Sequence, residues 1–192
     1  MKKFILLSAV IFIILLTGCS NNSIENNLNE IPFQKLSSKE TGIDFSNTIT
    51  PNLETKENLF DYDYFYNGSG VGIADLNNDG LKDVFFSSNQ LPNKLYLNKG
   101  ELRFEDITEK SNINQNKGWS SGVTFADVNN DGWLDIYISQ GGPFNQTKRK
   151  NTLLINNKDL TFTENASLYG LDDQGISTQS AFFDFDKDGD LD

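Results

Sequence analysis

Short apolar runs and polar segments alternate along most of the chain. Apolar runs at 70–74, 122–126 and 180–183 each end at an acidic segment, and runs of β-branched or aromatic residues at 84–86 and 136–138 follow the first two segments. Short apolar runs bounded by turn residues predict β-strands. No segment combines a sustained helical period with capping residues, so we predict an all-β protein.

A second repeated pattern follows each of the first two acidic segments. Residues 94–108 and 152–164 both alternate apolar and polar positions around a short polar turn, which predicts β-hairpins. Strand, acidic loop, strand and hairpin together give four short strands per repeat, the content of one β-propeller blade. The alternative is a β-sandwich with accidental internal similarity. Residues 47–66 interrupt the first repeat and are interpreted as an insertion.

The three acidic segments share one spacing of side chains. Positions 1, 3, 5, 7 and 9 are occupied by Asp75, Asn77, Asp79, Leu81 and Asp83; by Asp127, Asn129, Asp131, Trp133 and Asp135; and by Asp184, Asp186, Asp188, Asp190 and Asp192. Ca²⁺ prefers about six to eight oxygen ligands, and alternate residues of a tight loop can direct their oxygens to one centre. We expect side-chain oxygens from positions 1, 3, 5 and 9 and a backbone carbonyl from position 7.

The glycine at position 6 of each segment is expected to let the backbone turn around the ion. Without an ion, crowded carboxylates are expected to have raised pKa values. An EF-hand is excluded because position 12, which needs a glutamate, is Phe86 in the first loop and Ile138 in the second. Two alternatives stay open: the binding of Mg²⁺ in place of Ca²⁺, and acidic turns that bind no metal.

These loops and their flanks resemble FG-GAP/VCBS repeats, the β-propeller units of the integrin-α type. The resemblance rests on residues 66–75, 95–98, 118–127 and 177–184. It implies a calcium-binding propeller like the N-terminal part of bacterial VCBS-repeat lipoproteins of the ASPIC/UnbV type. The Phe-Gly and Gly-Ala-Pro signatures of integrins and an ASPIC/UnbV segment are absent from the sequence. About two blades and the start of a third are too few to close a propeller, so we expect a fragment that is truncated at its C-terminus.

The N-terminal segment is interpreted as a targeting signal and not as part of the fold. Lys2 and Lys3 precede an apolar run to Leu16, which fits a signal peptide over residues 1–18. The following residues, up to the chain's single cysteine, Cys19, resemble a bacterial lipoprotein box. We expect a lipid anchor on Cys19, a flexible tether over 19–31, the repeats over 32–192, and a place at the bacterial cell envelope, on the outer membrane. An ordinary secretory signal or a membrane anchor is the alternative.

The amino-acid composition limits the partners and the reactions that are expected of this chain. Lys and Arg number 16 against 27 Asp and Glu, a net charge of −11, which argues against nucleic acid as a partner. The absence of histidine excludes chemistry that uses an imidazole of this chain. Asp61 and Asp63 are interpreted as solvated acids and residues 148–150 as a solvated basic loop. No catalytic constellation is present, so no enzyme activity is predicted.

Two tryptophans and three nearby tyrosines leave a further choice open. Trp119, Trp133, Tyr62, Tyr64 and Tyr66 could stack on sugars, but core or blade-interface positions are the favoured interpretation. The sequence therefore predicts a membrane-anchored, calcium-binding propeller module for binding or scaffolding, with a glycan or protein ligand. The alternatives are the non-catalytic part of a larger glycan-degrading enzyme and a structural surface adhesin.

Overall fold

The computed structural model describes residues 33–114, 118–143 and 149–192. The chain divides into two compact units, Met1–Lys35 and Leu36–Asp192, and the second contains the secondary structure below. The predicted signal peptide, the anchor at Cys19 and the tether over 19–31 lie outside the described residues. Within the described ranges, no helix combines the length and apolar character needed to cross a membrane.

Two four-stranded antiparallel sheets form the framework, each with its strands in chain order. The first contains β1 (Val71–Ala74), β2 (Asp83–Phe86), β3 (Lys94–Asn98) and β4 (Phe104–Asp106). The second contains β5 (Trp119–Ala126), β6 (Asp135–Gly141), β7 (Thr152–Asn156) and β8 (Phe162–Glu164). The predicted all-β architecture with four-stranded blades is thereby confirmed. In both sheets the acidic loop joins the first two strands and the predicted hairpin supplies the last two.

Three one-turn helices accompany the sheets: α1 (Ser38–Thr41), α2 (Thr108–Ser111) and α3 (Ala166–Tyr169). A capping box opens α1, where the Ser37 N–H donates to Glu40 Oε2 at 2.8 Å and the Glu40 N–H donates to Ser37 Oγ at 3.3 Å. The sequence analysis predicted no helix. A single turn is too short to produce a helical period in the sequence.

The main core lies between the two sheets. It combines buried side chains from both, among them Phe85 and Leu95 of the first and Val123 and Ile136 of the second. β1 runs against β5 at Gly72, where a Cβ atom would collide with the ring of Phe125. This close approach explains the glycine in an otherwise apolar strand. The two sheets therefore stack face to face, as successive propeller blades do.

The insertion over 47–66 closes a second core at the start of β5. Tyr62 and Phe65 pack on Trp119, with ring centroids at 5.8 and 5.4 Å. Trp119 is 2% exposed, so it and Tyr62 belong to the core, as favoured from the sequence. Tyr64 and Tyr66 are exposed instead. The insertion is therefore a packed part of the fold that presents some aromatic rings to solvent.

The start of the third repeat lies against the second sheet. Thr124 Oγ1 donates to the Ser180 carbonyl at 2.6 Å, and Gln179 Nε2 donates to the Val123 carbonyl at 3.3 Å. The strand predicted over 180–183 is not formed in the described part of the chain, which corrects the sequence analysis. Backbone pairing there is limited to Phe183 and Asp192, at 3.1 and 3.4 Å. A strand needs a ladder of such bonds with a neighbour.

Candidate metal centre

The first acidic loop, between β1 and β2, folds its side chains inward. The Asp75 carboxylate accepts the N–H groups of Asp79 and Gly80 at 3.1 and 2.8 Å. Asn77 Oδ1 also accepts from Asp79 N–H, at 3.2 Å, and Asp79 Oδ1 accepts from Leu81 N–H at 2.8 Å. Asn77 Nδ2 donates to Asp79 Oδ2 at 2.9 Å. Positions 1, 3 and 5 are thereby brought together.

The second loop, between β5 and β6, repeats this network bond for bond. Asp127 accepts from Asp131 N–H at 2.9 Å and from Gly132 N–H at 2.7 Å. Asn129 Oδ1 accepts from Asp131 N–H at 3.1 Å, and Asp131 Oδ1 accepts from Trp133 N–H at 2.9 Å. Asn129 Nδ2 donates to Asp131 Oδ2 at 3.1 Å. The shared spacing in the sequence therefore specifies one shared local structure.

Position 6 requires glycine because of its backbone angle. Gly80 and Gly132 have φ values of +87° and +84°, in the region that side-chain-bearing residues seldom adopt. Apart from the glycine and its two chain neighbours, no described protein atom lies within 4 Å of a Cβ placed at either residue. The constraint is thus conformational and does not come from a neighbouring protein group.

The aspartate at position 9 connects each loop to its sheet by hydrogen bonds to backbone N–H groups. Asp83 is 1% exposed; its carboxylate accepts from Leu76 N–H at 3.0 Å and from Asn98 N–H on β3 at 2.9 Å. Asp135 is equally buried and accepts from Val128 N–H at 3.1 Å and from Asn156 N–H at 2.8 Å. Burial of these carboxylates offsets part of the gain from the bonds.

Raised pKa values, which were expected from crowded carboxylates, occur at position 9, where burial is the main cause, and not at position 5. Burial raises the pKa values of Asp83 and Asp135, and the neighbouring loop carboxylates add to the rise. At position 5 the prediction is wrong. Hydrogen bonds from Leu81 N–H and the Asn77 amide lower the pKa of Asp79. Partial burial opposes ionisation of Asp131, but hydrogen bonds from Trp133, Asn129 and Lys158 lower its pKa.

The third loop has five aspartates where each of the other two has three, and its surroundings are looser. Carboxylate oxygens of Asp184, Asp186 and Asp188 all lie within 4.8 Å of one another, and all three residues are exposed. The Asp190 N–H donates to Asp188 Oδ1 at 3.2 Å, so the two carboxyl groups lie side by side. The Asp188 carboxyl group raises the pKa of Asp190, first by favouring a proton shared between the two side chains and then by its negative charge. Asp192 accepts from Phe185 N–H at 2.7 Å, as position 9 does in the other loops.

The donor set of these loops fits a hard divalent cation. Positions 1, 3 and 5 offer only carboxylate and amide oxygens, the ligands that Ca²⁺ prefers. The residues that would hold a cation are those at positions 1, 3, 5 and 9, together with the backbone carbonyls of Leu81, Trp133 and Asp190 at position 7. Lys158 Nζ lies 3.3 Å from Asp131 Oδ2, so a positive charge already approaches the second loop.

Other sequence candidates take structural roles. Asp61 accepts from Asn58 Nδ2 at 2.8 Å within the insertion. Lys150 pairs with Asp172 at 2.9 Å, and Lys148 lies outside the described residues. The sequence analysis gave no role to Asn98 and Asn156, although both hold the same place in the repeated hairpins. Their backbone N–H groups hold the position 9 carboxylates, so the repeat itself was the available signal.

Comparison with known proteins supports this picture of the repeats. Residues 64–138 match the FG-GAP-like repeat family. They include the whole first sheet and the acidic loop of each sheet. Cartilage acidic protein 1 of Xenopus tropicalis is 33% identical over 86 residues, which cover 44% of this chain and 13% of the relative. The proteins of that name from Homo sapiens and Mus musculus are each 31% identical over 77 residues, which cover 40% of this chain and 12% of each relative.

This homology is distant and spans only a small part of the relatives. The family match over residues 64–138 nevertheless coincides with the part of the chain in which strand, acidic loop and strand recur. The chain therefore carries an FG-GAP-like repeat, and its two four-stranded sheets are blades of β-propeller type.

Proposed function

We propose that this protein is a calcium-binding propeller module that binds or scaffolds a glycan or protein ligand at the bacterial cell envelope, held to a membrane by a lipid on Cys19. FG-GAP-like repeats are typically non-catalytic, in keeping with a binding role. The observation that carries the calcium part is the duplicated network of hydrogen bonds that draws Asp75, Asn77 and Asp79, and their counterparts in the second loop, into one oxygen-rich turn.

Bound calcium would stabilise such a loop electrostatically. Three or four acidic side chains close together repel one another, and a bound divalent cation converts that repulsion into attraction. The loops join the first two strands of each sheet, so an ordered loop holds those strands in register. We infer that calcium stabilises the blades in this way.

The proposed ligand surface lies at the other end of the sheets. The insertion contacts the residues that follow β2, where the Asn47 amide bonds to Asn89 at 2.7 Å, and it covers Trp119 at the start of β5. Both points are the strand ends remote from the acidic loops. Phe60, 92% exposed, and the exposed Tyr64 and Tyr66 give this end aromatic rings of the kind that contact sugars or proteins.

Thermal unfolding of the whole chain with and without a chelator tests the calcium role. At about 100 times Kd, calcium is expected to add roughly 2.7 kcal/mol of stability per site, so the chelator should lower the Tm. Asp79→Ala and Asp131→Ala should each remove part of the difference between the two conditions. Asp63→Ala, an acid outside the loops, is the matched control. An identical melting curve in excess chelator would refute calcium stabilisation.

A panel of polysaccharides tests the binding role separately. We expect one glycan of the panel to bind without being cleaved, and Tyr64→Ser with Tyr66→Ser to weaken that binding while leaving the Tm unchanged. Hydrolysis of a polysaccharide by the chain would contradict the proposed binding function and favour an enzyme.

A further inference from the structure

The two acidic loops are joined to each other by side-chain amides. Asn156, at the end of β7, donates through Nδ2 to the Leu134 carbonyl of its own loop at 3.1 Å and to the Leu76 carbonyl of the first loop at 2.8 Å. A second link comes from the first loop, where Asn78 Nδ2 donates to the Gly132 carbonyl at 3.0 Å. Each link starts on one blade and ends on the loop of the other.

Burial and hydrogen bonds restrict the side chain of Asn156 to one position. It is 3% exposed, its backbone N–H donates to Asp135 at 2.8 Å, and its Oδ1 accepts from Lys158 N–H at 2.9 Å. With both Nδ2 bonds added, both donors of the amide and one lone pair of its oxygen are used. A buried amide bonded in this way holds its partners in one arrangement, because displacing any of them leaves a polar group unpaired.

The peptide that Asn156 holds is part of the first cation loop. Leu76 lies between Asp75 and Asn77, the residues at positions 1 and 3, and its N–H donates to Asp83 at position 9. The carbonyl of the same residue is the acceptor for Asn156. Three candidate ligands of the first loop are therefore tied to a residue whose backbone N–H binds position 9 of the second loop.

We propose that Asn156 and Asn78 couple the two loops, so that a cation bound in one loop raises the affinity of the other. This rests on the proposed binding of calcium by the loops. A bound cation fixes its loop, the hydrogen bonds carry that order to the neighbouring loop, and the second cation then loses less conformational entropy on binding. By thermodynamic linkage the effect is equal in both directions. Asn156 is a positioning residue in this scheme and need not touch the ion.

The first blade supplies a matched control. Asn98 holds the place of Asn156 in the first hairpin: its N–H donates to Asp83 at 2.9 Å, its Oδ1 accepts from Gly100 N–H at 2.9 Å and its Nδ2 donates to the Lys82 carbonyl at 2.8 Å. All of these bonds stay within the first blade. Asn98→Ala therefore removes the same chemistry without removing a link between the loops.

Terbium luminescence sensitised by Trp133 reports the second loop once the signal that remains in Asp131→Ala is subtracted, because the Asn78–Gly132 bond places the first loop near Trp133 as well. Tb³⁺ replaces Ca²⁺ at oxygen sites, and Trp133 at position 7 of the second loop is the adjacent sensitiser, whereas Trp119 lies at the opposite end of β5. The affinity of the second loop for Tb³⁺ is measured with the first loop intact and with Asp79→Ala. Coupling predicts that Asp79→Ala weakens Tb³⁺ binding at the second loop about fivefold. In the Asn156→Ala variant, the factor by which Asp79→Ala weakens Tb³⁺ binding should approach one. In the Asn98→Ala variant, this factor should be unchanged.

A second pair of variants covers the case in which Asn156→Ala does not fold. Asn78 and Asn130 occupy the same position of the two loops with φ values of 57° and 55°, so a glycine at either keeps the backbone. Asn78→Gly removes the link to Gly132 and should reduce the factor, whereas Asn130→Gly should not. The same factor in all backgrounds overturns the coupling but leaves calcium binding intact. A native chain with no Tb³⁺ or Ca²⁺ binding overturns both proposals.

Discussion

The first two acidic loops and the third have nearly the same sequence pattern but different surroundings. In the first two, position 9 is buried and bonded to the backbone of the following hairpin, as at Asp135 and Asn156. In the third, every residue from 183 to 192 is exposed, and the hydrogen bonds at positions 5, 6 and 7 measure 3.2–3.3 Å. The corresponding bonds measure 2.8–3.2 Å in the first loop and 2.7–3.1 Å in the second.

This difference separates two contributions to the structure of an acidic loop. The turn itself is local: glycine at position 6 and acceptor side chains at positions 1, 3 and 5 produce it in all three repeats. The burial of position 9 and the bonds that hold it come from the sheet. A local motif therefore specifies the shape of the loop, and the blade determines how firmly that shape is held.

The largest effect is expected where a loop is fastened to its sheet. In chelator, Asp135→Ala should lower the free energy of unfolding by about 3 kcal/mol, because the N–H groups of Val128 and Asn156 lose their buried acceptor. The exposed counterpart in the third loop, Asp192→Ala, should change the free energy of unfolding by less than about 0.5 kcal/mol. Urea denaturation measures both. Equal losses in the two variants would show that the sheet gives position 9 no special role.

A change inside the first sheet that touches no acidic loop separates sheet stability from loop order. Tyr96 is fully buried and its O–H donates to Asp44 Oδ1 at 2.9 Å; burial and this hydrogen bond raise the pKa of Tyr96 from 10.0 to about 12. A pKa raised by folding stabilises the fold below pH 10 and loses that contribution as pH rises towards 12.

Tyr96→Phe should therefore lower the free energy of unfolding by about 1 kcal/mol at neutral pH. The difference from the native chain should shrink as pH rises above 10.0, the ordinary pKa of tyrosine. The loss of stability on adding a chelator should be the same in both chains. A constant difference across that pH range would mean that Tyr96 does not titrate as its surroundings require.

A further comparison of loops two and three concerns the glycines at position 6. Gly132→Ala forces an alanine into a left-handed backbone and should cost about 1 kcal/mol of stability in chelator. Gly189, in the third loop, has a φ of +99°, but its loop lies outside the two sheets. Gly189→Ala should leave the global unfolding transition unchanged, and denaturant titration of the pair provides the comparison. A stability loss at Gly189 as large as that at Gly132 would contradict the looser holding of the third loop.

The sequence predicted the parts of this molecule that repeat. The acidic spacing, the flanking apolar runs and the paired hairpins led to both four-stranded sheets. The strand over 180–183 was wrongly predicted, because a strand depends on a neighbour that a local pattern does not reveal. The links from Asn156 and Asn78 were not predicted either, since they depend on how one blade faces the next. The same limit applies to Asp83, whose burial follows from its contacts with β3.

Calcium stoichiometry tests the central claim most directly. Equilibrium dialysis of the whole chain against Ca²⁺ should find one ion per acidic loop, with about 10⁻⁴–10⁻³ M as a typical affinity for an extracellular module. The combined variant Asp79→Ala, Asp131→Ala should lose the ions of the first two loops and keep the weaker site at Asp184, Asp186 and Asp188. A native chain that binds no calcium at millimolar concentration, or a variant that binds as much as the native chain, would contradict the account.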